Sequence, residues 1–211
     1  TCPNHAGDQM NGYILKPTNF DPSKRYPVVM SQYSGPGSQS VLDKWTIDWE
    51  YYLVSKGFIV ACVDGRGTGG RSRAYETSVY MQLGKLETED QVAGAEYMRT
   101  LPYVDDKHIG IYGWSYGGYE TLMAMSTSNG TYQAGVAIAP VTDWRYYDTI
   151  YAERFMRTPN ENNEGYEQSA PITHAEKLKG DLLIISGTAD DNVHYLNTLQ
   201  YSAALIEAGI Q

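Results

Sequence analysis

Residues 108–128 read HIGIYGWSYGGYETLMAMSTS. The apolar, β-rich first third predicts a strand over His108 to Trp114. The last third predicts a helix from Tyr119 to Ser128, leaving Gly113 to Gly118 as the turn between them. Inside that turn, Gly113-Trp114-Ser115-Tyr116-Gly117 has the form G-x-S-x-G. With 21 glycines in 211 residues, such a pattern arises by chance about 0.1 times per chain. What gives it weight is its setting, a strand before and a helix after. A sharp strand-to-helix turn leaves no room for side chains beside the serine, hence the glycines. The amino end of the helix then directs unpaired N–H groups and positive dipole at whatever charge forms near Ser115. Ser115 is the candidate nucleophile, and the backbone N–H of Tyr116 is the natural first donor to an oxyanion.

Working outward, Tyr13 to Lys16 and Pro27 to Tyr33 predict strands, the second ending in the turn Ser34-Gly35-Pro36-Gly37. Leu42 to Lys56 has apolar residues at helical spacing, with Gly57 as a C-cap. Phe58 to Gly65, Gln133 to Ala139 and Asp181 to Gly187 predict further strands. Glu87 to Leu101 predicts a helix with Val92, Ala95, Tyr97 and Met98 facing the core, and Val193 to Ala208 a last helix. The polar stretch Thr158 to Ser169 predicts a surface loop. Continuous apolar strands alternating with helices indicate an α/β class chain with a mostly parallel sheet covered on both faces. With the elbow at Ser115, this predicts an α/β-hydrolase fold in one domain, residues 1–211. The chain opens in a strand-and-turn region and closes within a helix, so the expectation is a C-terminally incomplete fragment of a longer protein.

The net charge of −9 argues against nucleic acid, which needs clustered Lys and Arg. It weakly favours a cationic ligand such as a free amino terminus. Cys62, in FIVACVD, predicts a buried strand residue, whereas Cys2 is expected near a frayed terminus. No pair has metal-ligand or disulfide spacing. No apolar run is long enough to span a membrane.

In a hydrolase of this order the acid follows the nucleophile, at the end of a later strand. The loop after DLLIISG carries Asp190 and Asp191. Asp191 is expected to cap the last helix, which leaves Asp190 as the triad acid. The base is the difficulty. His5, His108 and His174 precede the acid, and His194 lies only four residues after it. The catalytic histidine is therefore expected beyond Gln211.

Five stretches in order, SQYSGPGS, VDGRGTGG, GWSYGGYE, AIAPVTDWRYYDTIYAERF and GTADDNVH, resemble the catalytic domain of the dipeptidyl peptidase IV branch of the prolyl oligopeptidase family, in its bacterial form. The resemblance implies a serine exopeptidase that releases Xaa-Pro or Xaa-Ala dipeptides through an acyl-enzyme on Ser115. It implies that the Tyr33 hydroxyl is a second oxyanion donor and that Asp190 orients the base. Around the proline pocket it places Tyr116, Val141, Trp144, Tyr147 and Tyr151, with Asn192 on a substrate carbonyl and Arg154 in support. Trp144, Tyr147 and Tyr151 fall at i, i+3 and i+7, as on one helical face. Glu120, where relatives have an apolar residue, is expected to point away from the elbow. The resemblance further implies an upstream β-propeller, a homodimer formed through this domain, an extracytoplasmic location, and no cofactor or metal. Other readings of the same residues are another peptidase or esterase of the family, or a non-catalytic binding relative.

Overall fold

A computed structural model describes residues 1–210. Seven strands form one sheet: β1 (Cys2–Pro3), β2 (Gln9–Leu15), β3 (Tyr26–Ser31), β4 (Ile59–Asp64), β5 (Val104–Trp114), β6 (Ala134–Ile138) and β7 (Asp181–Ile185). Their spatial order is β1-β2-β4-β3-β5-β6-β7. From β4 to β7 all neighbours run parallel, while β2 lies antiparallel on β4 and β1 antiparallel on β2. Every residue of β4 is buried, so the centre of the sheet is covered on both faces. Seven helices supply the cover: α1 (Glu50–Ser55), α2 (Arg73–Thr77), α3 (Lys85–Arg99), α4 (Tyr116–Thr127), α5 (Thr149–Met156), α6 (Asn163–Gln168) and α7 (Leu196–Glu207). The main core joins Met30, Ile59, Ala61, Ile109 and Ile111 of the central strands to Ala95 and Met98 of α3. Val92 and Tyr97 of α3 pack on it only partly buried.

Several expectations are corrected. Only Glu50–Ser55 of the predicted Leu42–Lys56 helix is helical; Trp45 and Ile47 ahead of it are 80% and 76% exposed. Their apolar periodicity marks surface, not a buried face. Cys2 is not frayed but buried at 2% exposure in β1. The polar stretch 158–169 is more than a loop: it contains α6, which buries Gly165 and Tyr166. The antiparallel strands β1 and β2 and the short α2 extend or add to the predicted set.

Candidate active site

The strand β5 runs to Trp114 and α4 begins at Tyr116, so Ser115 alone makes the turn. Its φ is 58° and ψ −115°, a region that side chains with a Cβ rarely enter. The turn is held from below: Ser115 N–H donates to the Ile138 carbonyl at 2.8 Å, and Tyr119 N–H donates to the Ser115 carbonyl at 2.9 Å. The glycines are required by contact. A Cβ on Gly113 would lie 2.2 Å from the Gly117 carbonyl oxygen, and one on Gly117 would lie 2.5 Å from that of Gln32. Gly117 thus lets the loop after β3 close onto the elbow. That loop is tied down by Gln32, whose Nε2 donates to the Gly117 carbonyl at 2.8 Å, and by Ser34, which donates to Gln32 Oε1 at 2.9 Å. Gln91 of α3 donates in turn to Ser34 Oγ. Tyr33 emerges from this network with its ring 6.1 Å from that of Tyr116 and 38% exposed. Tyr116 opens α4, so its N–H has no acceptor within the helix.

The strands β5, β6 and β7 end side by side, Trp114 opposite Ile138 and Ile138 opposite Ile185. The loop carrying Asp190 therefore leaves the same edge of the sheet as Ser115. Asp190 Oδ1 accepts from the N–H groups of Asn192 and Val193, each at 3.0 Å. This corrects the assignment of caps: the Asp that turns the chain toward α7 is Asp190, and Asp191 is exposed. One oxygen of Asp190 is committed to the backbone, which fixes the carboxylate, and the other remains available. Of the histidines, His5 pairs with Glu96, His108 with Asp105, and His174 with the Gln168 carbonyl, while His194 is exposed.

The aromatic residues meet, although not by the predicted route. Trp144 sits in a single 3₁₀ turn, Trp144–Tyr146, and Tyr147 is extended at φ −118°, ψ 172°. Tyr151 belongs to α5. Two aspartates break the stretch: Asp143 caps the turn by accepting from Arg145 N–H at 2.8 Å, and Asp148 caps α5 by accepting from Tyr151 N–H at 2.7 Å. The one-face helix is therefore replaced by two capped pieces, and tertiary packing brings the rings together. Trp144 stacks on Tyr151 with centroids 5.7 Å apart, and lies 5.5 Å from Tyr116 and 6.0 Å from Tyr147. Val141 is buried with them. Tyr147 donates to Asn192 Oδ1 at 2.8 Å, which links this wall to the Asp190 loop. Arg154 is exposed on α5 and makes no salt bridge among the described residues.

Beneath the elbow lies a group that the sequence did not suggest. Glu87, Thr88, Asp90 and Gln91 of α3 are all buried. Glu87 accepts from the Tyr116 hydroxyl at 2.7 Å. Glu120, expected to face away, is wholly buried and accepts from Thr88 Oγ1 at 2.8 Å. Burial pushes the Glu87 carboxyl up to about 7 and raises Glu120 well above the usual carboxylate range, with the Glu87 charge adding to it. The polar run LETEDQ has the composition of a solvated helix face, which hides its burial in the sequence.

A mostly parallel sheet, a strained serine between strand and helix, and an acid loop at the same sheet edge define the chain as an α/β hydrolase. It belongs to the prolyl oligopeptidase family, whose model matches residues 45–211. Among solved structures it is similar to Porphyromonas gingivalis dipeptidyl peptidase 4, with a TM-score of 0.97 and 55% identity over 100% of this chain and 30% of that one. Among curated proteins it is 44% identical to "Probable dipeptidyl-aminopeptidase B" of Metarhizium robertsii over 97% of this chain. It is 48% identical to the protein of the same name in Talaromyces marneffei over 93%. The chain spans 23% and 22% of the lengths of those two relatives. Among the described residues no helix is long and apolar enough to cross a membrane.

Proposed function

We propose that this chain is the catalytic portion of a serine exopeptidase that releases Xaa-Pro and Xaa-Ala dipeptides from peptide amino termini. The observation that carries the reading is the strained Ser115 elbow with Tyr33 and the Tyr116–Trp144–Tyr151 cluster gathered beside it. Ser115 Oγ attacks the carbonyl carbon of the second residue, and its proton passes to a histidine supplied from outside residues 1–211. The carbonyl oxygen becomes an oxyanion held by Tyr116 N–H and the Tyr33 hydroxyl. The C–N bond breaks, the leaving amine takes the proton from the imidazolium, and water then releases the acyl group. Asp190, fixed by two backbone N–H groups, orients that imidazole. A pyrrolidine ring is compact and apolar, and flat aromatic walls enclose it with little unfilled space. Asn192 serves the substrate carbonyl and Arg154 lies at the rim.

An upstream β-propeller gripping the substrate amine, a homodimer through this domain and an extracytoplasmic site of action belong to the same reading. They are supported by the likeness to dipeptidyl peptidases over the whole of this chain. The test is the full-length parent on Gly-Pro-p-nitroanilide. We expect turnover, and a loss of roughly 10⁴-fold or more in Ser115→Ala. Near-normal turnover in that variant overturns the assignment.

A further inference from the structure

Among the buried carboxyl groups that the catalytic scheme leaves unused, Glu87 and Glu120 lie in the interface of α3 and α4 under the elbow. We propose that Glu87 is a positioning residue: its ionised carboxylate holds the Tyr116 hydroxyl and thereby sets the pocket wall, which loosens when Glu87 takes a proton. This rests on the reading of Tyr116 as part of the substrate pocket.

Tyr116 is the joint of the site. Its ring lies 5.1 Å from Tyr119, 5.5 Å from Trp144 and 6.1 Å from Tyr33, and its backbone opens α4 directly after Ser115. The ring is 3% exposed, and its hydroxyl is anchored by Glu87 Oε1 at 2.7 Å. A displaced Tyr116 ring would disturb Trp144 and Tyr33 together. The strength of the anchor depends on charge. A hydrogen bond to a carboxylate is shorter and about twice as strong as one to a neutral group. Glu87 is itself 1% exposed, and its Oε2 has no partner among the described residues. The groups that face it are Asp90 on its own helix, Tyr116, Tyr119 and Glu120 on α4, and Tyr151 on α5. Asp90 is neutralised by Arg66, with Nη2 to Oδ1 at 2.7 Å. Burial raises all three tyrosines above their already alkaline range, so these hold their protons at neutral pH, and it raises Glu120 well above the usual carboxylate range. Glu87, pushed by burial to about 7 and bonded to the Tyr116 hydroxyl, is the carboxyl placed to change charge there.

The two glutamates allow a controlled test, because both sit in one buried helix interface and only Glu87 bonds the Tyr116 hydroxyl. In the full-length parent, KM and kcat for Gly-Pro-p-nitroanilide are measured between about pH 5.5 and 8.5 for the unaltered enzyme, Glu87→Gln and Glu120→Gln. The base and the substrate amine titrate alike in all three. At the alkaline end Glu87→Gln should raise KM roughly three- to tenfold with kcat within about twofold. At the acid end, where the native carboxyl is itself protonated, the KM ratio should approach one. Glu120→Gln should leave the ratio near one throughout. A Glu87→Gln ratio that does not vary with pH, or a matching change in Glu120→Gln, overturns the proposal. Infrared titration of the same proteins gives a readout apart from turnover. A protonated-carboxyl band that fades near neutral pH should vanish in Glu87→Gln, and its absence from the native protein also overturns the proposal. If the parent does not cleave the substrate at all, the peptidase reading fails, and the infrared band still decides whether Glu87 titrates.

Discussion

The two halves of the candidate site are built differently. Around Ser115 everything interlocks: Gly113 and Gly117 are in backbone contact, Gln32, Ser34 and Gln91 tie three segments together, and eleven of the twelve residues of α4, Tyr116 through Ser126, are buried. Around Asp190 the sheet is open. Leu183 and Ile185 of β7 are 55% and 44% exposed, and Leu196, Leu199 and Ile206 of α7 also face solvent. The nucleophile's half is complete in its packing, whereas the acid's half carries apolar surface that further chain could cover.

The largest expected effect tests the interlocked half. In Gly113→Ala the new methyl would meet the Gly117 carbonyl oxygen at 2.2 Å, and neither backbone can retreat without unseating Ser115. We expect a loss of more than about 4 kcal/mol, visible as insoluble expression or a large fall in Tm. A soluble, active Gly113→Ala protein would show the elbow to be far more pliable than its contacts imply. Next comes Tyr33→Phe, which keeps the ring against Tyr116 and deletes only the hydroxyl. If that hydroxyl holds the oxyanion, kcat should fall roughly 10²–10³-fold with thermal stability unchanged. An unaltered kcat removes Tyr33 from the chemistry.

The open half gives the third prediction. Ile185→Ser in the full-length parent should cost about 2 kcal/mol if further chain buries this edge, and under about 0.5 kcal/mol if the edge stays in water. Thermal unfolding of the catalytic portion distinguishes the two. We expect the larger cost.

The same contrast accounts for what the sequence made legible. The elbow was readable because its requirements are local: a serine with positive φ needs small neighbours, and glycines at fixed offsets announce them. The central strands were readable because IVACVD is buried on both faces and has no polar break. Trp144, Tyr147 and Tyr151 do meet, but not on the one helical face that their spacing suggested. Spacing suggested one helix, while Asp143 and Asp148, two strong capping residues, cut it in two. Caps are local signals and were there to be read. Glu87 was not legible, since LETEDQ has the composition of a wet helix face. Its burial comes from α4 lying against α3, a long-range fact. Leu42 to Trp49 failed in the opposite sense, with helical periodicity on a segment that no neighbouring element buries.

One contact joins the two halves at the surface, and it gives the smallest effect. The Tyr147 hydroxyl donates to Asn192 Oδ1 at 2.8 Å, bridging the aromatic wall to the loop that carries Asp190. The Asn192 side chain is exposed, so solvent competes for the bond and its net worth is about 0.5–1.5 kcal/mol. Tyr147→Phe keeps the ring in its edge contacts with Trp144 and Tyr151 and frees Asn192. We expect KM on Gly-Pro-p-nitroanilide to rise roughly two- to tenfold, with kcat nearly constant because Ser115 and Tyr33 are untouched. Asn192→Ala should have a similar effect, and the double variant should be no worse than the more damaging single one. That shortfall from additivity is the coupling between the halves. Fully additive effects would mean that wall and loop act on substrate independently, and that the bridge merely fills space between them.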